Sequence, residues 1–428
     1  LPEEPGLGLF VGASGPHPVA AYSPPFRFRG WIHSWSVEPD WSPNPMRTAW
    51  GEEVSDLPWP EYPRPLLRRQ PWWNLNGWWD YAVQPRLDTN HPTIWEGRIR
   101  VPFAIESSLS GVGRRFTPAD RLWYRRIFEL EPRPDRRYQL NFEAVDYRAE
   151  VWLNGVRVGE HTGGWMPFSF DVTAAVRRGT NELMVAVEDA TDTSGRYQLH
   201  GKQRLQPRGI WYTAVSGIWQ PVWLEETPPV FIERLRTATR SDGTVRIETR
   251  MANGTVARLR AVVSLRGREV ARAEGPPPLL DVCVPNPHLW SPDSPILYDL
   301  TLEAGEDRIE SYVGIREISR VRDAEGHWRF ALNGRPIFHW GTLDQGWWPD
   351  GLLTPPSDAA LRFDIEFLKA AGFNTIRKHI KVEPRRFYAH CDRLGMFVWQ
   401  DLPSHMDTWA QPPWTRLQSD PVDAAWPD

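Results

Sequence analysis

From about Trp72 to Glu226 apolar and polar positions alternate in short runs between turn residues, and no segment of helical period interrupts them. A period of two sends successive side chains to opposite faces of a strand, so this stretch predicts strand after strand. The clearest instance is Arg148-Ala149-Glu150-Val151-Trp152-Leu153, then Asn154-Gly155, then Val156-Arg157-Val158: alternation carried across a two-residue turn. Asn76-Gly77 predicts a second hairpin on the same grounds, and Asn181–Val187 a further strand. A β-sandwich over residues 62–227 is expected. Thr227-Pro228-Pro229 reads as a linker, and residues 228–317 are again all-β, with runs at Val245–Met251, Ala261–Leu265 and Leu297–Leu302. Their length suits an immunoglobulin-like sandwich, here without paired cysteines, so packing alone must hold it.

At about residue 318 the period changes. Phe330-Ala331-Leu332, Asn333-Gly334 and Pro336–Trp340 form a hairpin leading into a strand. Ser357 can cap a helix whose apolar Leu361, Ile365 and Leu368 share a face, with Gly372 as its stop. Phe373–Arg377 is a strand. Pro384 suits a first helical turn, Phe387, Cys391 and Leu394 form a stripe, Gly395 ends it, and Met396–Trp399 is a third strand. Strands alternating with helices over 318–428 predict parallel βα units. A closed (β/α)8 barrel takes roughly 250 residues, so an incomplete barrel is expected.

Composition narrows the function. The 428 residues carry a net charge of −4 with no basic patch or acidic tail, which argues against nucleic acid and anionic membrane as partners. No apolar run approaches the roughly 20 residues of a membrane span. The two cysteines, Cys283 and Cys391, make neither a disulfide framework nor a metal cluster. Residues 1–61 read as an irregular Pro-rich leader without a signal-peptide pattern, which favours the cytoplasm, and Met46 is a candidate start that would leave 1–45 untranslated in the native protein. The 25 Trp have two readings, core packing or stacking on sugar rings.

Val151-Trp152-Leu153-Asn154-Gly155, His161-Thr162-Gly163-Gly164-Trp165-Met166-Pro167-Phe168 and Ser216-Gly217-Ile218-Trp219-Gln220-Pro221-Val222 occur in that order. Leu289-Trp290-Ser291-Pro292, Val313-Gly314-Ile315-Arg316 and Gly372-Phe373-Asn374-Thr375-Ile376-Arg377 follow. Together they resemble glycoside hydrolase family 2, which holds β-galactosidases, β-glucuronidases and β-mannosidases. The resemblance implies a jelly-roll-like sugar-binding sandwich, an immunoglobulin-like sandwich and a TIM barrel of which 318–428 is the first part. It implies a retaining exo-β-glycosidase, most similar to a β-galactosidase, acting on a carbohydrate substrate. No cofactor is called for; a divalent or monovalent metal ion stays open, as does a homo-oligomer of the full-length protein.

Retaining enzymes use two carboxyl groups about 5–5.5 Å apart, one nucleophile and one acid then base. The resemblance puts these glutamates at the ends of the fourth and seventh barrel strands, the acid within an Asn-Glu pair. This chain has one Asn-Glu, Asn181-Glu182, in a sandwich strand where a solvent-facing role suffices. No catalytic residue is therefore expected here, and the chain is expected to be inactive alone. A pair made from Asp344, Glu383 and Asp401 is disfavoured, because an open sheet would leave them in water without a raised acid pKa.

The expected substrate-binding groups follow the strand ends: Asp344, Gln345, Trp347 and Trp348, then Arg377, Lys378 and His379, then Gln400 and Asp401. Arg377 matches an arginine that supports the nucleophile, with a structural ion pair as the alternative. His379 sits where relatives read Arg-x-Ser-His, displaced by one residue. Asp192 aligns with an acidic residue that the first domain contributes, with turn capping as the alternative. Two rival functions remain: a non-catalytic carbohydrate-binding protein, and a scaffold whose partner chain completes the barrel. Either way the helices and three strands would expose an apolar edge prone to aggregation.

Overall fold

The computed structural model describes residues 46–193 and 198–404. The proposed untranslated segment 1–45 lies outside the described residues.

Two sheets face each other in the first sandwich. One has six strands in the order Gly97–Val101, Gly77–Pro85, Asp120–Leu130, Gly179–Glu188, Arg148–Leu153, Val156–Thr162; the other has four, Trp72–Asn74, Val222–Thr227, Arg137–Phe142, Phe168–Asp171. The predicted hairpin at Asn154-Gly155 is present, with Leu153 opposite Val156 and a bulge at Val151/Trp152. Asn76-Gly77 is not a hairpin. Trp72–Asn74 pairs with Val222–Thr227 and Gly77–Pro85 with the opposite sheet, so the chain crosses from one sheet to the other there. Asn76 is fully buried; its side chain accepts from Val222 N at 2.9 Å and donates to Pro58 O at 3.2 Å. Those bonds replace ladder partners at the crossing. The core between the sheets is aliphatic and aromatic, with Trp79, Leu122, Tyr124, Phe142, Val185 and Leu224 sealed from water.

Seven strands form the second sandwich, three in one sheet and four in the other. Its core is Ile232, Val245, Ile247, Val263, Leu300 and their neighbours. The seam between the sandwiches is a buried ionic network. Glu225 accepts from Tyr62 Oη at 2.6 Å, Arg64 Nη2 at 2.7 Å, Arg69 Nη1 at 3.1 Å and Trp223 Nε1 at 2.6 Å. Arg69 also holds Asp307 of the second sandwich through two 2.8 Å bonds. Burial pushes the Glu225 carboxyl up, but Arg64 and Arg69 outweigh it and hold it below its ordinary value.

Beyond a three-stranded antiparallel hairpin unit (Ile318–Arg322, Trp328–Leu332, Arg335–Pro336), the chain builds β1 (Gly341–Asp344), α1 (Asp358–Ala370), β2 (Thr375–Lys378), α2 (Arg385–Leu394) and β3 (Phe397–Gln400). The three strands pair in parallel, β1 with β2 and β2 with β3. Ser357 Oγ accepts from Ala360 N at 3.1 Å, and Gly395, at φ 75°, ends α2. Pro336 pairs back with Ala331, so the first parallel strand starts only at Gly341. There a Cβ would sit 2.5 Å from Thr375 O, so glycine lets the two backbones meet.

The leader is more than a tether. Trp59 is buried against Leu361, Ile365 and Phe387, and its Nε1 donates to Pro355 O at 3.1 Å. Thr48 donates through N and Oγ1 to Asp350 Oδ2, both at 2.8 Å. Residues 46–69 thus strap the sandwiches to the parallel sheet. Trp79, Trp123, Trp219, Trp223 and Trp290 are fully buried, which answers the core reading for those five. Cys283 and Cys391 are free. Among the described residues no helix is long and apolar enough to cross a membrane.

Candidate functional site

Strand carboxyl ends in a parallel sheet carry side chains that the strands fix and the following loops surround. Here β1 ends in Asp344 and β2 in Lys378, neighbours in the ladder. Lys378 Nζ binds Asp344 Oδ2 at 2.6 Å and Glu383 Oε1 at 2.7 Å. Lys381 Nζ reaches the same Glu383 oxygen at 2.8 Å and donates to Gly346 O and Leu353 O at 2.7 and 2.8 Å. Lys378, Lys381 and Glu383 are all buried. Burial disfavours the Lys378 ammonium, yet Glu383 and Asp344 outweigh it and raise its pKa. At Lys381 burial prevails and lowers it. Asp344 feels burial upward but Lys378 and Lys381 more strongly downward, and Gly346 N adds a 2.7 Å bond to Oδ1. Asp344 is therefore held ionised.

Beside this knot lies a chain of three side chains from three segments. Tyr212, in the long sandwich loop that follows Glu188, donates its hydroxyl to Gln345 Oε1. The Gln345 amide donates to His379 Nδ1 at 2.8 Å, which puts the proton of the neutral imidazole on Nε2. Tyr212 also stacks on Trp347 with ring centroids 4.5 Å apart. Burial lowers the His379 pKa, Asp401 opposes, and Lys202 and Arg377 add to the lowering. The ring stays neutral and can both donate and accept.

Arg377 and Asp401 form a two-bond pair, Nε–Oδ1 3.2 Å and Nη2–Oδ2 3.0 Å, with the guanidinium half exposed. Gln400 accepts from Tyr388 Oη at 2.6 Å and donates to Lys381 O at 2.8 Å. Trp348 closes a turn with Leu352 through 2.8 and 3.0 Å backbone bonds. Asp192 sits apart in role: its oxygens take Leu205 N at 3.1 Å and Arg204 Nη1 at 3.4 Å, bonds internal to the sandwich loop.

The fold thus gathers Asp344, Gln345, Trp347, Arg377, His379 and Asp401 at three adjacent strand ends. Sequence reasoning missed Tyr212 and Lys381, and named Glu383 only as a member of a disfavoured catalytic pair. Nothing local marks Tyr212, whose partner lies 133 positions away. The Lys378-x-x-Lys381-x-Glu383 spacing was visible, but a charged run after a strand reads as a solvated loop. The sole three-ligand cluster of metal-binding type among the described residues is Asp323, Glu325 and His327 at the hairpin tip, away from these strand ends in sequence and exposed for the most part.

Comparison with known proteins agrees in order and extent. Residues 106–211 match the family model described as glycosyl hydrolase 2 galactose-binding domain-like, and residues 230–316 the one described as glycosyl hydrolases family 2. A β-galactosidase of Bacteroides ovatus is 26% identical over 376 residues, which is 78% of this chain and 41% of that protein. One of Thermoanaerobacter pseudethanolicus is 25% identical over 311 residues, 66% and 39% respectively. The solved β-glucuronidase of Faecalibacterium prausnitzii superposes with a TM-score of 0.66 at 26% identity, covering 80% of this chain and 61% of that one. The chain spans less than half the length of the curated relatives it matches.

Proposed function

Since this chain belongs to glycoside hydrolase family 2, we propose that β1 to β3 open a (β/α)8 barrel and that their carboxyl ends bind the sugar of a β-glycoside in a retaining exo-glycosidase. The observation that carries this is the convergence of two strand ends and a sandwich loop on one neutral imidazole: Tyr212 on Gln345, Gln345 on His379. A sugar offers many hydroxyl groups, each donor and acceptor. The Nε2–H of His379 supplies a donor, Asp401 and Asp344 acceptors, Arg377 a charged fork, and the Trp347 and Trp348 rings apolar faces for C–H edges.

The cleavage itself needs an acid and a nucleophile about 5–5.5 Å apart. Asp344 is held ionised by two ammonium groups and cannot donate a proton. It shares Lys378 with Glu383, so both carboxylates serve a cation rather than a leaving oxygen. The catalytic pair is therefore assigned outside the described residues, and the 428-residue chain binds without hydrolysing.

A galactoside is the first reading for the sugar. A uronate is the second, favoured by Lys202 and Arg377, whose charges both bear on His379. Calorimetric titration of the chain with galactose and with glucuronate separates them. Binding of either that weakens tenfold or more in His379→Ala supports the site. Hydrolysis of a chromogenic β-glycoside by the chain, abolished by Glu383→Gln, would overturn the assignment.

A further inference from the structure

The chain holds four Asn-Gly pairs, beginning at Asn76, Asn154, Asn253 and Asn333. Such a pair carries its own chemistry. Glycine has no Cβ to shield its backbone nitrogen, so that nitrogen can reach the carboxamide carbon of the asparagine before it. The fold decides which pair is free to do so. Three are clamped. Asn76 is fully buried, and its amide is held by Val222 N at 2.9 Å, Pro58 O at 3.2 Å and Trp59 O at 3.3 Å. Asn154 gives Nδ2 to Ala175 O and Asn181 Oδ1, both at 2.8 Å, and accepts from Glu182 N at 2.9 Å. Asn333 gives Nδ2 to Trp290 O at 3.1 Å and accepts from Glu317 N at 2.9 Å. The backbones of these last two are fixed as well. Each closes a paired hairpin, and each asparagine N donates at 2.8 Å, to Glu182 O and to Glu317 O. Turning any of the three carboxamides toward the next nitrogen breaks at least two hydrogen bonds.

Asn253 differs. It follows the strand Thr244–Ala252 and enters a connection outside any strand that lasts until Leu259–Leu265. The residue is exposed, and its side chain makes one long bond among the described residues, Nδ2 to Pro229 O at 3.3 Å. Gly254 N has no acceptor among the described residues. A Cβ on Gly254 would meet only Val230 Cγ2, at 3.3 Å, so the space around the pair is open. The backbone of Asn253 stands at φ 60°, a left-handed conformation that asparagine enters more readily than most residues.

We propose that Asn253 is a site of spontaneous deamidation, with water as the only co-reactant. Gly254 N bonds to Cγ of Asn253 and gives its proton to water. The Cγ–Nδ2 bond breaks, and the nitrogen takes a proton from water and leaves as ammonia. One water then opens the cyclic imide at either carbonyl, which gives aspartate or isoaspartate at 253; nothing is oxidised or reduced. Each event adds one negative charge to the chain's net −4. It also removes the N–H given to Pro229, in the linker between the two sandwiches. Isoaspartate further lengthens the backbone there by one carbon atom.

Incubation of the 428-residue chain in mildly alkaline buffer, followed by peptide mapping, tests it. The readout is the mass gained when an amide NH2 becomes OH. The peptide holding Asn253 should convert first. Conversion at Asn76, Asn154 and Asn333 should be slower by about tenfold or more, the cost of breaking two or three hydrogen bonds. In concentrated urea the four rates should converge, because the clamps are gone. Asn253→Ser should abolish the first acidic species seen by ion exchange. The comparison of the four pairs in the parent chain carries the test even if that variant misfolds. Conversion at Asn253 no faster than at Asn154 and Asn333, an order unchanged in urea, or an acidic species that persists in Asn253→Ser would each overturn the proposal.

Discussion

The seam between the two sandwiches and the carboxyl end of the parallel sheet both bury a knot of charge, and they differ in what surrounds it. At the seam, Glu225, Arg69 and Asp307 are walled on either side by complete hydrophobic cores. At the sheet, Lys378, Lys381 and Glu383 are just as buried, but the core behind them is small: Ile376, Phe387, Cys391 and a few neighbours. Both outer strands of that sheet, β1 and β3, have a free edge among the described residues. Leu343, Trp340 and Trp399 stay exposed beside them. The contrast teaches that the strand-end groups are positioned without a closed sheet. Lysine bridges, the strap and the Tyr212 loop hold them, so the first sandwich adds a side chain to the strand-end cluster.

Breaking the seam gives the largest expected effect. Arg69→Met removes both bonds to Asp307 and one to Glu225. Asp307 would remain buried with only the Ile232 amide, at 2.8 Å. An uncompensated buried charge costs about 3–5 kcal/mol. Chemical denaturation should show that loss. A change below about 1 kcal/mol would mean that water reaches the seam.

A pH titration sharpens the same comparison within the first sandwich. Glu106 is fully enclosed, and burial pushes its carboxyl up to about 8, with Ser216 opposing and Asp189 assisting. Ser216 N donates to Glu106 at 2.9 Å, while Ser216 Oγ donates to Asp189 at 2.7 Å. Because the folded-state value is raised, the folded chain keeps a proton that the unfolded chain releases near 4.5. The resulting stability is complete below that pH, falls by at most about 1.4 kcal/mol per pH unit, and is gone above about 8. Glu106→Gln should flatten this slope between the two values. An unchanged slope would assign it to other groups.

How much of this was legible in the sequence depends on the range of the interaction. The hairpin at Asn154-Gly155, the Ser357 cap and the Gly395 stop rest on contacts within a few residues, and the pattern predicted each. Asn76-Gly77 carries the same turn chemistry but joins different sheets, because turn residues do not say which strand comes next. The strand-end residues were legible as types and positions. Their partners were not: Tyr212 reaches Gln345 from a loop of the first sandwich, 133 positions away, and Trp59 enters the core beside α1 from a segment that reads as leader.

Tyr212→Phe probes the shared wall directly. It deletes one hydroxyl and leaves the stacking on Trp347. The stability cost is about 0.5–1.5 kcal/mol. If the hydroxyl fixes the His379 tautomer through Gln345, sugar binding at the strand ends should weaken by more than the stability change alone suggests. The imidazole pKa, read by NMR, should move as well. Unchanged binding and an unmoved pKa would separate the sandwich loop from the site.

The smallest effect on stability, and the sharpest on behaviour, belongs to the exposed face. Phe338 is 75% exposed and Trp340 56%, and their rings stack with centroids 6.3 Å apart. Contiguous apolar surface of this kind drives self-association. Replacing both by Lys removes mostly exposed apolar area, together with the stacking of Trp340 on Phe373, ring centroids 5.9 Å apart. Stability should change by no more than about 0.5 kcal/mol, while sedimentation velocity should show less self-association than for the parent chain. A loss of 2 kcal/mol or more would mean that the Trp340–Phe373 stack is a core contact rather than a surface one. Unaltered association would shift attention to the free edges of β1 and β3, where unpaired backbone groups, not side chains, would then recruit the partner.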